Sequence, residues 1–442
     1  MQTRRAVGRG WPIGLALALA LLAAAPADAF NWRQHEGVTL RVLLGDNHWQ
    51  QVMQQHFPEF EQLTGIKLAV EAYPQPKLWD VLEQALGEPG RVDVFMTVPA
   101  LDGPRYFRMG RIRPVDDLLR DAARTAPEFA WTDFLPRART GMEVDGALLG
   151  PPLMAEHLAL LYRRDLFQAH QVAVPRTLAE LEAAARLLHG KPMNGRGSPG
   201  VALVARGNGS AATSLYAALL HAYGGRWLSG KGDATLTSPA GVEALALFGR
   251  LLGSYAPPNV REFNWQEASA LFMAGGAAMY LEGSSIYPLL EEPKVSGVAG
   301  KIGYAVFPAG PGGPGTTLAV RGLAVAKTSA NPGAAWLFCQ WAAGPEMVRR
   351  ALQKGVLVAR ESTWQDAATP RPVPADLAQS FLEAGRVGVT QWAPPMVAVT
   401  GGRMAVGEAL EAVVRGSDAR TVAAAANRKL QAILDETEPR RP

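Results

Sequence analysis

Cysteine is almost absent from this chain of 442 residues, which contains only Cys339. One thiol excludes an internal disulfide and any metal cluster built on cysteines. Cys339 lies in an apolar helical pattern between Ala334 and Trp341, where a buried and inert thiol is expected. The seven histidines do not form a cluster with metal-ligand spacing. The sequence therefore predicts neither a metal site nor a cofactor.

A surplus of charge of one sign is also missing. The chain has 44 basic and 40 acidic residues, a formal net charge of +4. Three arginines and one aspartate fall within the first 29 residues, so the rest of the chain carries a net charge of +2. No basic cluster with interleaved aromatic residues is present, and nucleic acid is therefore not predicted as a partner.

Long hydrophobic runs are limited to one, from Ile13 to Ala25, which is short for a membrane span. Arg4 and Arg5 precede this run, and an Ala-Asp-Ala triplet that ends at Ala29 follows it. This arrangement predicts a cleavable signal peptide over residues 1–29 and a periplasmic location. A membrane anchor is the alternative, and the arginine pair leaves Sec and twin-arginine export both open.

The motifs of common enzyme classes are missing as well. The chain has no P-loop, no His-Glu-x-x-His and no Gly-x-Ser-x-Gly. Gly195, Gly197 and Gly200 have dinucleotide-binding spacing, but they precede a predicted strand and enclose Pro199, which favours a turn. The sequence therefore predicts a protein that is not an enzyme. A secreted hydrolase is the alternative, because paired carboxylates that are distant in sequence leave no local motif.

What the sequence does contain is an alternation of apolar strands and amphipathic helices. Apolar runs predict strands at Val38–Leu44, Ile66–Val70, Val92–Met96, Val201–Ala205 and Ile302–Val306. Helical spacing predicts helices at Trp49–Leu63, Leu178–Leu188, Ser210–Ala222 and Ser238–Leu252. Strands joined by helices indicate an α/β protein with a parallel sheet that is covered on both faces. More than 400 residues indicate more than one domain.

Segments along nearly the whole chain resemble, in the same order, a known family: the extracellular solute-binding proteins of carbohydrate ABC importers, which include maltose-binding protein. The segments that carry the resemblance are Phe60–Lys67, Val92–Phe95, Gly110–Val115, Leu158–Phe167, Pro175–Leu178, Phe272–Met279 and Gly322–Lys327 followed by Trp336–Phe338. Each segment is unspecific by itself, and their shared order makes the resemblance specific.

The resemblance implies a two-lobed periplasmic-binding-protein fold (type II) with a hinge between the lobes and a ligand cleft. Lobe one is expected at residues 31–154 plus 318–355, and lobe two at 155–317 plus 356–442. The implied function is that of the substrate-binding component of an ABC importer, a monomer that captures a sugar or polyol and delivers it to permease subunits. Ligands of α/β sheets bind beyond the carboxyl ends of the strands, which agrees with such a cleft.

The first candidate ligand contacts follow the first predicted strand. They are Asp46, Asn47, His48 and Trp49. Asp and Asn at this position equally suit the capping of the next helix, so both interpretations stay open. Glu156 stands where maltose-binding protein has a ligand carboxylate near the hinge, and solvation is the alternative for it. The neighbouring His157 is a further candidate.

The aromatic residues on which maltose-binding protein stacks its sugar are replaced here. Thr97, Ser285 and Arg403 stand at or near those positions, which makes a maltose-like oligosaccharide doubtful. Aromatic residues elsewhere could compensate, and packing is the alternative for each. The remaining members of the predicted contact set are Asp102, Trp227, Trp265, Ser284, Arg321, Gly322 and Trp392. Since arginine binds carboxylate and phosphate, Arg321 and Arg403 leave an anionic ligand open, such as a sugar acid or a glycerol phosphate derivative.

Overall fold

The computed structural model describes residues 30–193 and 199–438. Its strands are β1 (Thr39–Gly45), β2 (Lys67–Tyr73), β3 (Val94–Thr97), β4 (Ile112–Arg113), β5 (Glu143–Val144), β6 (Ala147–Leu148), β7 (Pro152–Arg163), β8 (Val201–Ala205), β9 (Ala277–Gly283), β10 (Ile302–Val306) and β11 (Leu318–Ala326). The predicted signal peptide lies outside the described residues, as do Gly195 and Gly197 of the glycine pattern.

The α-helices pack against the strands and against one another. They are α1 (His48–Met53), α2 (Phe57–Thr64), α3 (Gln75–Ala85), α4 (Gly103–Arg108), α5 (Asp116–Arg120), α6 (Pro136–Thr140), α7 (Arg164–Ala169), α8 (Leu178–Leu188), α9 (Thr213–Ala222), α10 (Pro239–Tyr255), α11 (Trp265–Met273), α12 (Tyr287–Leu290), α13 (Pro332–Ala342), α14 (Pro345–Gln353), α15 (Glu361–Gln365), α16 (Ala375–Val387), α17 (Val399–Val414) and α18 (Ala419–Thr437).

Nine of the described strands form one sheet in the order β2-β1-β3-β11-β7-β9-β8, with β4 beside β11 and β10 beside β7, while β5 and β6 pair in a separate two-stranded sheet. At one end of the path, β1 pairs in parallel with β2 and with β3. At the other end, β8 pairs in parallel with β9. Parallel neighbours require helical crossovers, so the predicted α/β class is confirmed. The predicted strands at 201–205 and 302–306 are confirmed with their bounds.

The helix predicted from Trp49 to Leu63 is wrong as one continuous element. It is divided into α1 and α2 by a 3₁₀ turn at Gln54–His56. Pro58 stands in the first turn of α2, where its missing N–H costs nothing, whereas inside a continuous helix it would remove a hydrogen bond. The helix ends at Thr64, one residue after the predicted Leu63, because Gly65 adopts φ 71° and closes α2.

Two long strands, β7 and β11, join the two ends of the sheet. The first half of β7 pairs with β11, and its second half pairs with β9 and β10. The end of β11 pairs in turn with β3. Along the described path, β7 and β11 provide the only strand pairing between the group β2-β1-β3 and the group β9-β8. They therefore form the joint between these two strand groups.

Buried apolar side chains form two clusters. One contains β1, β3, α13 and α14, and the other contains α8, α9, α10, α17 and α18. The first cluster extends across the joint, since Val204 of β8 and Tyr280 of β9 also belong to it. Val358, Leu377 and Phe381 belong to the first cluster, although they follow residue 355. The exact lobe boundaries at 154, 317 and 355 stay predictions.

Gly322 allows β7 and β11 to approach at this joint. It is buried at a shift in their register, and a Cβ atom there would overlap the carbonyl oxygen of Pro151 and the side chain of Met142. We expect Gly322→Ala to lower the free energy of unfolding by about 1–3 kcal/mol, because overpacking displaces the strands. Urea denaturation measures the change. Gly230→Ala is the control, since nothing lies within 4 Å of its Cβ position; equal stabilities of the two variants would contradict the assignment.

Candidate functional site

A cleft with two adjoining compartments lies beside β7 and β11. The compartments have volumes of about 220 and 230 Å³ and share Gln75, Trp79, Val98 and Arg321. The first compartment is completed by Leu101, Glu156, Leu158, Arg206, Ala211, Ser214, Glu282, Gly283, Thr317, Ala319, Trp392 and Arg403. The second is completed by Gly45, Asp46, Asn47, His48, Leu78, Met96, Asp102, Met154 and Ser285. Both strand groups therefore contribute to one cleft.

The period of two along β7 and β11 decides which of their side chains reach the cleft. In β7, residues 154, 156 and 158 line it, and along the second strand residues 317, 319 and 321 do so. The residues between them face the opposite side of the sheet, since successive side chains of a strand alternate. His157 is accordingly fully buried on the other face, next to Phe381. It therefore does not line the cleft that its neighbour Glu156 lines.

Glu156 and Arg321 form an ion pair in the middle of the cleft. Glu156 Oε1 lies 2.8 Å from Arg321 Nη1, and Ser285 Oγ donates to Glu156 Oε2. Burial acts to raise the pKa of Glu156, but Arg321 and Ser285 outweigh it and hold the pKa below its ordinary value. Glu156 is therefore ionised at neutral pH and can accept hydrogen bonds from a ligand. It lies inside β7.

A second ion pair joins Arg206 and Glu282 in a bidentate arrangement. The two N–H···O distances are 2.7 and 2.6 Å. Tyr280 Oη and the N–H of Gly283 also donate to the carboxylate. The sequence prediction missed both residues. The available signal was the position of Arg206 directly after the predicted strand at 201–205, which is the same rule that selected Asp46.

Arg403 and Trp392 form the far wall of the first compartment. The Arg403 guanidinium lies 5.8 Å from the centre of the Trp392 ring, and its Nη2 donates to the carbonyl oxygen of Ser210 at 2.7 Å. Burial and the nearby charge of Arg206 lower the pKa of Arg403 to about 10, so it remains a cation at neutral pH. Its Nε and the Trp392 Nε1 are buried, and neither has a partner among the described residues.

Asp102 lines the second compartment and is bonded to the end of β3. Its carboxylate accepts a hydrogen bond from Thr97 Oγ1 and another, at 3.1 Å, from the N–H of Val98. Burial raises the pKa of Asp102 to about 6, although Thr97, Val98 and the Trp79 side chain act in the opposite direction. Thr97 itself is fully buried. Its hydroxyl is thus used within the protein, while Trp79, which the sequence prediction missed, presents its ring to both compartments.

The loop after β1 reaches the second compartment. Asp46, Asn47 and His48 line it, while Trp49 is buried in the core. Asn47 also caps α1, because its Oδ1 accepts from the N–H of Gln50 at 3.1 Å. For Asn47, the structure therefore supports the capping interpretation while leaving its side chain at the cleft.

Four other predicted contacts lie elsewhere. Trp227 is buried, and its Nε1 donates to the carbonyl oxygen of Gln391. Trp265 begins α11 and is 37% exposed, but it lines neither compartment. Ser284 is buried, and its hydroxyl accepts from the backbone N–H of His157. Gly322 occupies the strand joint described above.

Neither a metal centre nor a membrane span is found in the part of the chain that the structure describes. No group of three His, Cys, Asp or Glu side chains within residues 30–193 and 199–438 is arranged to hold a metal ion. No helix in these two ranges combines the length and the apolar character that crossing a membrane requires.

Known proteins similar in sequence bind small solutes. Residues 47–349 match the family described as bacterial extracellular solute-binding protein. The chain is 28% identical over 291 residues to the mannitol-binding protein of Pseudomonas aeruginosa, covering 62% of this chain and 64% of that protein, slightly less than two thirds of its length. It is 27% identical over 349 residues to the erythritol/L-threitol-binding protein of Mycolicibacterium smegmatis, covering 74% and 71%.

Solved structures with the same fold are two-lobed binding proteins. A solute-binding protein of an ABC transporter from Agrobacterium radiobacter, in complex with ribitol, superposes with a TM-score of 0.73 at 24% identity, over 90% of this chain and 99% of that one. The sugar-binding protein MalE of Xanthomonas citri superposes with a TM-score of 0.76 at 21% identity, over 90% and 98%. The predicted two-lobed fold is thereby confirmed.

The buried carboxyl group of Asp102 predicts a pH dependence of stability. Its pKa is about 6 in the folded chain against an ordinary value of 3.8, so the folded state binds more protons between these pH values. We expect the free energy of unfolding of the wild type, relative to Asp102→Asn, to fall as the pH rises from about 4 to 7, by on the order of 3 kcal/mol. Urea denaturation across this range measures it. The exposed Asp80→Asn variant is the control, and a pH-independent difference between wild type and Asp102→Asn would contradict the assignment.

Proposed function

The chain belongs to the bacterial extracellular solute-binding proteins, and from this we propose that it is the periplasmic binding component of an ABC importer for a sugar or a polyol. The observation that carries the proposal is the cleft at the joint of the two strand groups. It combines ionised hydrogen-bonding groups that are held in place with apolar ring faces, and these are the two kinds of surface that a polyhydroxyl ligand requires.

The two ion pairs supply hydrogen-bond donors and acceptors together. Glu156 and Glu282 are acceptors, and Arg321 and Arg206 are donors. Each carboxylate is oriented by an arginine and by a further donor, so little ordering remains when a ligand binds. A hydroxyl both donates and accepts, and it can therefore bond to both members of such a pair.

Trp79 and Trp392 supply the apolar faces. Trp79 comes from α3 and Trp392 from the loop before α17, so they belong to opposite sides of the cleft. The C–H faces of a sugar or alditol pack against such rings. The similar proteins named above bind mannitol, erythritol or threitol, and ribitol, which favours ligands of this size and chemistry.

Capture by lobe closure follows from the position of the charged groups. Glu156 and Arg321 lie on the joining strands, whereas Trp79 and Arg206 lie on opposite sides of the cleft. A ligand that contacts all of them stabilises a closed arrangement, and a permease can distinguish that arrangement from the open one. In this proposal lobe one comprises residues 31–154 plus 318–355, and lobe two comprises 155–317 plus 356–442.

The proposal includes export and action as a monomer. Residues 1–29 act as a cleavable signal peptide, and the mature chain operates in the periplasm with the permease subunits as partners. Catalysis is not part of it. The pKa of Glu156 is lowered. Asp102, the cleft carboxyl group with a raised pKa, is buried and bonded to Thr97 and Val98, so neither is placed as the general acid that a glycoside hydrolase requires.

A thermal-shift screen of the mature protein against monosaccharides, disaccharides, alditols and sugar acids tests the proposal. A ligand at one hundred times its Kd stabilises the folded state by about 2.7 kcal/mol, which raises the Tm measurably. Loss of a hit's chemical identity after incubation would indicate turnover and contradict a binding protein. The absence of any shift across the panel would contradict the ligand class.

For the ligand found in this screen, we expect Glu156→Ala to weaken binding by roughly 10- to 150-fold, since it removes hydrogen bonds to a charged group. Isothermal titration calorimetry measures the change, and circular dichroism checks that the fold is retained. Glu88→Ala is the matched control, because Glu88 is exposed and lies outside the cleft. Equal affinities of the Glu156→Ala and Glu88→Ala variants would remove Glu156 from the site.

A further inference from the structure

The charges that line the first compartment do not balance. Three guanidinium groups, those of Arg206, Arg321 and Arg403, face two carboxylates. Arg321 pairs with Glu156, and Arg206 pairs with Glu282. Within the described part of the chain, Arg403 has no ion pair with a carboxylate. The first compartment therefore carries a surplus of one positive charge, which resides on Arg403, whereas the acidic residues Asp46 and Asp102 line the second compartment.

The surroundings of Arg403 do not compensate this charge. One of its five N–H groups donates to the carbonyl oxygen of Ser210, and the Trp392 ring lies beside the guanidinium. Nε is buried, and no acceptor for it or for Nη1 is found among the described residues. The neighbouring cation Arg206 repels it, which contributes to its lowered pKa. A partly buried cation without a counter-charge is unfavourable, and an anion that enters the cleft would relieve this.

A purely structural role accounts for only part of this arrangement. The bond to the Ser210 carbonyl fastens α17 to the turn at Gly209–Ala212, and it needs one N–H. Any side chain with a single N–H donor could make this bond, so the bond does not explain why the remaining N–H groups of a guanidinium lie at the wall of a cavity. Those groups form the planar fork that binds a carboxylate through two parallel hydrogen bonds.

We propose that the ligand is a polyol that carries one carboxylate, an aldonate or a similar sugar acid, and that Arg403 binds this carboxylate. The inference rests on the proposed function, because it names the charge of the ligand in the same cleft. A carboxylate matches the surplus of one positive charge. A phosphate ester carries about −1.5 to −2 at pH 7 and would leave the compartment negative. The hydroxyl chain then extends from Trp392 toward Glu156 and Arg321.

The test compares ligands that differ in one group. D-Gluconate and D-sorbitol form one pair, and D-mannonate and D-mannitol form a second; in each pair a carboxylate replaces a terminal CH₂OH. Isothermal titration of the wild type is expected to give at least a tenfold lower Kd for the acid in one of the pairs. In Arg403→Gln the Kd values of that pair should agree within about threefold. Sorbitol 6-phosphate is expected to bind more weakly than the acid.

Arg403→Lys keeps the charge but removes the fork, and we expect it to retain a reduced preference for the acid. It also serves if Arg403→Gln proves unstable in thermal melts. A wild type that binds the alditol as tightly as the acid would overturn this inference and leave the proposed function intact. An acid preference that survives in Arg403→Gln would also overturn it. Failure of all acids, alditols and sugars to bind would overturn the proposed function itself.

Discussion

The Glu156–Arg321 ion pair, on the two strands that join the molecule, is the interaction around which the cleft is built. A partly buried ion pair contributes little net stability, since desolvation of both charges offsets their attraction. Its contribution here is to position groups that can bind a ligand. It fixes one acceptor and one donor at the joint, and Ser285 orients the second carboxylate oxygen. The other ligand-facing groups approach this pair from the two sides of the cleft.

In the same two strands, alternate side chains serve the cleft on one face and the buried core on the other. Side chains at positions 154, 156 and 158 face the cleft, while Ala155 and His157 are fully buried on the opposite face. Tight packing of the strands themselves depends on small residues. A Cβ atom at Gly150 would overlap the carbonyl oxygen of Leu323, and one at Gly322 would overlap that of Pro151. The joint is therefore close-packed in its backbone, and its charged side chains, Glu156 and Arg321, lie on the side of the cleft.

Patterns that are local in sequence predicted much of the fold. The strands Val201–Ala205 and Ile302–Val306 are dense apolar runs, and they form with the predicted bounds. The first helix was predicted as one element because periodicity outweighed Pro58, which instead begins a new helix. The lobes are assembled from distant segments, and only the order of family-like segments pointed to them. Apolar spacing alone contains no information about which strand groups share a joint.

Some of the cleft residues could be predicted from the sequence and others could not. Asp46, Glu156 and Arg403 line the cleft and were selected by strand ends or by family position. Arg206 directly follows a predicted strand, which was a usable signal, but its ion pair with Glu282 joins segments 76 residues apart and leaves no local pattern. Trp79 was missed because helix α3, which carries it, was not predicted. Tryptophans carry little positional signal, so Trp227 was selected although it fills a core. Whether a tryptophan lies in the core or at the cleft depends on tertiary contacts.

Lobe closure on the ligand is the central claim, and the distance between the lobes tests it most directly. Nitroxide labels on Gln84 in α3 and Met404 in α17, both exposed, report on opposite sides of the cleft, and the native Cys339 is buried. Double electron–electron resonance should give a shorter mean distance and a narrower distribution when the protein is saturated with its polyol or sugar acid. An unchanged distribution, with binding verified by calorimetry on the labelled protein, would contradict capture by closure.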